Sequence, residues 1–164
     1  MNRPTPTPPT RLLAIDAGLR AGLAVYTADG RLERYRSTNF GAPSRLKKGV
    51  YGVMSAVEGL RRVVVEGGGP VADPWAREAH RRGLSLQRVQ AGVWRKALLL
   101  PRDRRTGRDA KEQADEIARE VIAWSGAPRP TSLRHDAAEA ILIGLWGVLD
   151  AGWLPELPES LQPG

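Results

Sequence analysis

The sequence predicts an α/β domain with a mixed β-sheet. Short apolar segments of strand length alternate with longer segments of helical periodicity, in the order β-β-β-α-β-α-β-α-α-α. The chain has 164 residues, a length that suits one domain able to bury roughly two-thirds of its unfolded surface. We expect this domain to span residues 11–152, between a Pro/Thr-rich disordered tail at residues 1–10 and a frayed tail at residues 153–164.

The first part of the domain predicts three strands in a meander. Residues Arg11–Asp16 form a continuous apolar run that ends in a carboxylate, and residues 22–27 follow after a turn that contains glycine. An Asp-Gly pair at residues 29–30 is a hairpin turn signal, and it precedes a third strand at Leu32–Ser37. Consecutive strands joined by such short turns pair in antiparallel fashion.

The middle of the domain alternates helices with strands. Arg45–Leu60 places apolar residues at helical spacing, and Arg61–Gly67 is a strand of buried, β-branched residues that contains a glutamate near its end. Asp73–Arg82 predicts a helix with its first residue, an aspartate, as the N-cap. Leu84–Gln90 predicts the fifth strand and Trp94–Leu100 a short helix.

The last part of the domain predicts two longer helices after a basic loop. The loop is Pro101–Arg108, and Asp109 then opens a helix with the spacing of a capping box. A final helix runs from about Leu133 to Leu149, capped by the hydroxyl of Thr131 or Ser132.

The composition excludes several classes of metal site. The chain has no cysteine, and His80 and His135 are its two histidines, so cysteine-ligated zinc, iron–sulfur clusters and multi-histidine cages are ruled out. A catalytic metal would be held mainly by carboxylates, which favours Mg²⁺ or Mn²⁺. Because no run of 18 apolar residues occurs, we expect no membrane partner.

The charge balance favours a nucleic-acid partner. The formal net charge is +7, and the cations are four lysines and 21 arginines. Arginine binds phosphate through two parallel hydrogen bonds and stacks on bases, which suits nucleic-acid binding. The alternative to nucleic-acid binding is a codon bias that favours arginine and has no functional role.

Four carboxylates occupy positions that indicate a metal site. Asp16 and Glu66 end predicted strands, where side chains of an α/β sheet project into the ligand-binding crevice. Asp136 and Glu139 lie three residues apart on the last helix and share a face with small and apolar residues. Acids at strand ends can also cap turns, and acids at a helix start can oppose its dipole. Together, however, they predict a divalent cation between the sheet and the last helix, since buried acids need compensation.

Three segments resemble the RuvC-type Holliday-junction resolvases of the RNase H-like superfamily. They are LLAIDAGLRAGLAVY at residues 12–26, VVVEGG at residues 63–68 and RHDAAEAILIGLW at residues 134–146. The resemblance covers nearly the whole predicted domain, in order and with similar spacing. It implies an RNase H-like fold, with a five-stranded mixed sheet flanked by helices.

The resemblance also implies an activity. Resolvases of this family are metal-dependent endonucleases that cut four-way junction DNA as homodimers and leave 5′-phosphate and 3′-hydroxyl ends. Two Mg²⁺ ions per active site, or Mn²⁺ as a substitute, are held by four acids that match Asp16, Glu66, Asp136 and Glu139. We therefore expect four-way junction DNA, a second copy of the chain and branch-migration proteins as partners, in the bacterial or phage-associated cytoplasm near the nucleoid.

The resemblance implies further site residues among the cations. His135 adjoins the acids and Lys111 matches the family's lysine near the scissile phosphate, so both are candidate catalytic auxiliaries. The candidate DNA-binding residues are Lys96, Arg102, Arg104, Arg105, Arg108 and Lys111.

Two departures from the family pattern bear on function. Glu139 stands where the family usually has aspartate, and glycines 67–69 stand where the family often has an aromatic wedge. Trp75, in the following predicted helix, is a candidate replacement for that wedge, and an interface or core position is the equal alternative. A nuclease acting on other branched DNA, or on RNA–DNA hybrids, and a non-catalytic DNA-binding adaptor with the same fold are the alternatives. The only acid in the first predicted helix is the late Glu58, which weakens the RNase H alternative.

Overall fold

The computed structural model describes residues 9–99 and 107–162, with the backbone alone at residues 107–109. The predicted tail at residues 1–10 therefore lies almost wholly outside the described residues. The side chains of four predicted DNA-binding residues also lie outside them, namely those of Arg102, Arg104, Arg105 and Arg108.

The elements follow the predicted order. The strands are β1 (Arg11–Asp16), β2 (Arg20–Thr27), β3 (Leu32–Asn39), β4 (Leu60–Glu66) and β5 (Ser85–Val89). The helices are α1 (Pro43–Ser55), α2 (Asp73–Arg81), α3 (Ala91–Leu98), α4 (Gly107–Ser125) and α5 (His135–Asp150). Short 3₁₀ turns occupy Gly69–Val71 and Glu159–Leu161. No helix of the described ranges is long and apolar enough to cross a membrane.

The five strands form one mixed sheet in the order β3-β2-β1-β4-β5. Strands β1, β2 and β3 are antiparallel neighbours, as the hairpin signals predict, whereas β4 pairs in parallel with both β1 and β5. The register places Asp16 beside Glu66 at the end of the central pair. Two carboxylates far apart in sequence thus meet at one edge of the sheet.

The sheet separates two apolar cores, because successive side chains of a strand point to opposite faces. On one face, Leu13 and Ile15 pack in a core that includes the buried side of α1 and α2. On the other face, Leu12 and Ala14 pack in a core that includes buried residues of α3, α4 and α5. The result is a three-layer arrangement with the sheet in the middle.

Helix α5 makes the closest approach to the sheet. A Cβ added at Gly144 would lie 2.2 Å from a ring carbon of Tyr26, and one at Gly147 would lie 3.0 Å from Val64. The hydroxyl of Tyr26 donates a hydrogen bond to the carbonyl of Ile141. Small residues on this face therefore allow α5 to lie directly on β1, β2 and β4.

The boundaries differ from the predictions at the helix starts. Asp73 is the first residue of α2 and not its N-cap; its side chain accepts a hydrogen bond from Arg88 at 3.0 Å instead. Helix α5 begins at His135 with Arg134 as N-cap, and neither Thr131 nor Ser132 caps it. In both cases tertiary packing sets where the helix begins, and the local capping signal does not decide it.

The C-terminal segment also differs from the prediction. The sequence predicts a frayed end, but Leu154 and Leu161 are buried in the same core as α5, with Leu157 packed against it. Three leucines among the prolines and glutamates of this segment bury enough apolar surface to hold it on the domain.

The tight contact at Gly144 can be tested by substitution. We expect Gly144→Ala to lower the free energy of unfolding by about 1–3 kcal/mol, because the new methyl group would overlap the buried Tyr26 ring. Gly52→Ala is the matched control: Gly52 is exposed in α1, and its Cβ would meet no atom of the described residues within 4 Å. This control should stabilise the protein by about 0.5–1 kcal/mol. Urea unfolding of both variants measures the difference, and equal effects would contradict the close packing of α5.

Candidate metal centre

Three carboxylates meet at the edge of the sheet where β1 and β4 end. Asp16 is the last residue of β1, Glu66 is the last residue of the parallel strand β4, and Glu139 lies near the start of α5. One ligand oxygen from each residue lies within 4.8 Å of the others. This carboxylate triad is the only group of three or more such ligands found among the described residues.

The position of Glu139 depends on a glycine in β2. A Cβ at Gly22 would lie 1.8 Å from the carbonyl oxygen of Asp136, so the backbones of β2 and α5 touch there. This contact brings the first turns of α5 to the edge that holds Asp16. Glu139 is 7% exposed and is the one buried charged residue within the described part of the chain. Such burial is costly for a carboxylate without compensation.

Burial and mutual repulsion make the triad hard to ionise without a cation. Burial, together with the nearby charges of Glu139 and Glu66, raises the pKa of Asp16 to about 9. Burial also raises the pKa of Glu66. Three clustered carboxylates whose negative charges repel one another are suited to binding a hard divalent cation such as Mg²⁺ or Mn²⁺. The residues present therefore fit the predicted metal.

Asp136, the fourth predicted ligand, points elsewhere. Its Oδ2 atom accepts a hydrogen bond from the hydroxyl of Ser37 at 2.9 Å, and its Oδ1 atom accepts one from the amide of Ala137 at 2.8 Å. Its negative charge still raises the pKa of Asp16, so it lies close enough to affect the triad. The structure thus brings together three of the four predicted acids and places the fourth beside them.

Two side chains contact the triad through Glu139. Nη2 of Arg95 donates a hydrogen bond to Glu139 Oε1 at 2.9 Å, and Nε2 of His135 lies 3.0 Å from the same oxygen. His135 was predicted beside the acids, whereas Arg95 was missed. The order of the elements gives a signal for Arg95. Strand β5 pairs in parallel with β4, so β5 ends at the same edge of the sheet as Glu66, and α3, which contains Arg95, follows directly.

The other predicted residues lie on helices α4, α3 and α2. Lys111 is exposed on α4 and lines an open cleft with Leu133 and His135. Lys96 is exposed on α3, the helix that also holds Arg95. Trp75 is fully buried and packs edge-on against Phe40, with ring centroids 6.1 Å apart. It is part of the core, which is the alternative that the sequence left open, so it is not exposed as an aromatic wedge would be.

The fold, but not the sequence, matches known proteins. No family model and no curated protein matches the chain. The solved structure of T. thermophilus RuvC in complex with Holliday junction substrate matches with a TM-score of 0.60 and 18% identity, over 87% of this chain and 95% of that one. The catalytic core domain of BIV integrase aligns with a TM-score of 0.35 and 7% identity, over 82% of this chain and 80% of that one.

The first of these likenesses shows the fold. The chain has the RuvC-type, RNase H-like fold, with a five-stranded mixed sheet flanked by helices. This confirms the fold that the sequence resemblance predicts. The second likeness is too distant to add to it.

The raised pKa of Asp16 predicts how the stability of the metal-free protein depends on pH. The folded protein holds this proton up to a pKa of about 9, whereas the unfolded chain releases it near the ordinary aspartate pKa of 3.8. The folded state therefore binds more protons between these values, and its stability falls as the pH rises through them. We expect the melting temperature in EDTA to drop by about 5 °C or more between pH 5 and pH 9.

Asp16→Asn is the control for this pH dependence, because it removes the titrating carboxylate. The variant should show a flatter profile, and Mg²⁺ should raise the wild-type melting temperature most at high pH, where the triad is most repulsive. Differential scanning fluorimetry measures both effects. Parallel pH profiles for the wild type and the variant would refute the link to Asp16.

Proposed function

We propose that the protein is a metal-dependent endonuclease that resolves four-way junction DNA by paired phosphodiester hydrolysis. The products would carry 5′-phosphate and 3′-hydroxyl ends. The observation that supports this proposal best is the carboxylate triad at the edge of a RuvC-type sheet. The T. thermophilus RuvC structure was solved with a Holliday junction substrate, which makes such a junction the first substrate to test.

The chemistry follows from the donor set. Two Mg²⁺ ions per site, or Mn²⁺ in their place, would activate a water and neutralise charge on the scissile phosphate. Asp16, Glu66 and Glu139 would supply the oxygens that hold them, and Asp136 would complete the set by turning from Ser37. The burial of Glu139 limits the access of bulk water to the ligands.

The charge distribution supports a polyanionic substrate. Helix α1 contains no acid, and the exposed or half-exposed cations of α1, of α2 and of the C-cap of α2 are Arg45, Lys47, Lys48, Arg77, Arg81 and Arg82. The last two are paired with Glu78 of α2. Tyr51 is 58% exposed on this surface, with the guanidinium groups of Arg81 and Arg82 at 5.8 and 5.2 Å from its ring. Such cations bind the phosphate backbone and position DNA without reading its sequence.

Further cations on α3 and α4 extend the proposed DNA path. Lys96 on α3 and Lys111 on α4 are exposed, and we propose that they contact phosphates together with the arginines of residues 101–108. Lys111 and His135 line one cleft, which three acids of α4 also line, and we propose these two residues as auxiliaries near the scissile phosphate. Their cationic or hydrogen-bonding groups would stabilise charge that develops there.

We propose that the protein acts as a homodimer. Two symmetric nicks need two active sites, and a two-fold dimer matches the symmetry of a four-way junction. Helix α2 is a candidate contact, although its exposed Arg77 and Arg81 would repel their copies unless counter-charges lie between them. Branch-migration proteins in a bacterial or phage-associated cytoplasm, near the nucleoid, would then be further partners.

Substitution of the triad tests the proposed hydrolysis. We expect Asp16→Asn and Glu66→Gln each to reduce junction cleavage by roughly 10³-fold or more, because each removes an anionic ligand oxygen. Junction binding should survive in both variants, since the cationic surface is unchanged. Asp150→Asn, at the exposed far end of α5, is the matched control and should cleave like the wild type.

The assay should compare a four-way junction with a fork, a flap and an RNA–DNA hybrid, in Mg²⁺ and in Mn²⁺, with the nicks mapped. Paired nicks restricted to the junction are the expected result. Preference for another substrate would indicate that the protein is a related nuclease that acts on that substrate. Binding without cleavage would indicate a non-catalytic adaptor. Full cleavage by Asp16→Asn would overturn the assignment of the centre.

The salt dependence of binding tests the phosphate contacts. If about six phosphates are contacted, junction affinity should fall by about 10³-fold between 50 and 200 mM salt. Replacing both Lys47 and Lys48 by Gln should reduce the slope of log affinity against log salt by about 2, if each contacts one phosphate. Fluorescence anisotropy with a labelled junction measures both. A slope unchanged by the double substitution would place the DNA elsewhere.

A further inference from the structure

Arg95 connects helix α3 to the carboxylate triad. Its Nη2 atom donates to Glu139 Oε1 at 2.9 Å, and Glu139 is the most deeply buried of the three carboxylates. The Nε atom of Arg95 is buried without a hydrogen-bond partner in the described structure. The guanidinium group also lies 5.2 Å from the ring centroid of Trp94, which is fully buried. These contacts hold a permanent positive charge against the centre.

This charge acts on more than one carboxylate. The guanidinium is paired with Glu139, and its charge also favours the ionised form of Glu66. An arginine stays protonated at any pH at which the protein is folded, so its charge is constant. In the metal-free centre it offsets part of the repulsion between the three acids.

A divalent cation in the triad would need the same negative charge that Arg95 already neutralises. The two cations would repel each other at short range. Glu139, whose Oε1 already contacts Arg95 and His135, would also have to coordinate the metal, so the guanidinium and the metal would draw on the charge of one carboxylate. However, the Arg95 side chain is 33% exposed, so the guanidinium has access to water and is able to leave Glu139.

We propose that Arg95 is a positioning residue that serves as the resident counter-cation of the metal-free centre and competes with the divalent metal for Glu139. It holds Glu139 in place before the metal binds, and it gives up this contact when the metal enters. The competition sets the metal affinity of the centre below what the three carboxylates alone would provide. The inference rests on the proposed metal centre but does not depend on DNA cleavage.

Metal titration without DNA tests this competition. The proteins to compare are the wild type, Arg95→Gln, Arg95→Lys and Arg61→Gln, titrated with MnCl₂ or MgCl₂ alone by isothermal calorimetry. Arg61→Gln is the matched control: it makes the same change of side chain and charge at an exposed position at the start of β4, five residues before Glu66.

We expect Arg95→Gln to bind Mn²⁺ on the order of tenfold more tightly than the wild type, because the substitution removes a positive charge that repels the metal at short range. The same variant should melt at a lower temperature in EDTA, because the three acids lose their counter-cation. Arg95→Lys retains the charge and should keep nearly the wild-type metal affinity. Arg61→Gln should leave the metal affinity unchanged.

Three results would overturn the inference. Weaker metal binding by Arg95→Gln would mean that Arg95 prepares Glu139 for the metal instead of competing with it. Equal binding by Arg95→Gln and the wild type, or equal tightening by Arg61→Gln, would mean that the contact has no specific effect. If Arg95→Gln does not fold in EDTA, both Arg95→Gln and Arg95→Lys can be refolded in Mn²⁺, and their metal affinities can be compared with each other in the same way.

The test separates this inference from the proposed nuclease activity. A wild-type protein that binds Mn²⁺, shows the expected differences and cuts no DNA would support the competition and contradict the proposed function. A wild-type protein that binds no divalent metal would overturn the competition, whatever its activity on DNA.

Discussion

Helix α5 lies so close to the sheet that at Gly22 its backbone touches the backbone of β2, and the candidate site depends on this contact. Any side chain at Gly22 would collide with the carbonyl of Asp136, and one at Gly144 would collide with the ring of Tyr26. Small residues at these positions let the first turns of α5 reach the edge where β1 and β4 end. Without this approach, Glu139 would not meet Asp16 and Glu66, and no triad would form.

The same approach creates an electrostatic conflict that the surrounding residues partly relieve. Burial raises the pKa of Asp16 and of Glu66, and repulsion from the neighbouring carboxylates raises both further. Arg95 and His135 contact Glu139, and Ser37 holds Asp136 away from the triad. These contacts stabilise the metal-free fold while leaving the acids able to bind a cation. Stability and metal affinity therefore oppose each other at this edge.

The charges of the molecule divide into a compact acidic centre and a broad basic surface. The chain has a net charge of +7 although several of its acids gather at one edge, and α1 contributes cations without a single carboxylate. In contrast, the described side chains of α4 include more acids than cations. A phosphodiester substrate is attracted to the basic surface, while the acidic centre needs a metal before it can accept a phosphate.

The sequence by itself determined the order of the elements and the placement of Asp16, Glu66 and Glu139, because strand ends and helical spacing are local properties. It also indicated the RuvC-type fold through three segments kept in order. Only the tertiary structure decided which groups meet those acids. The Arg95–Glu139 pair joins residues 44 positions apart, and the Ser37–Asp136 pair joins residues 99 positions apart. The burial of Trp75 in the core and of Leu161 in the C-terminal 3₁₀ turn was likewise set by packing. Such contacts depend on how closely separate elements approach, and no local pattern encodes that distance.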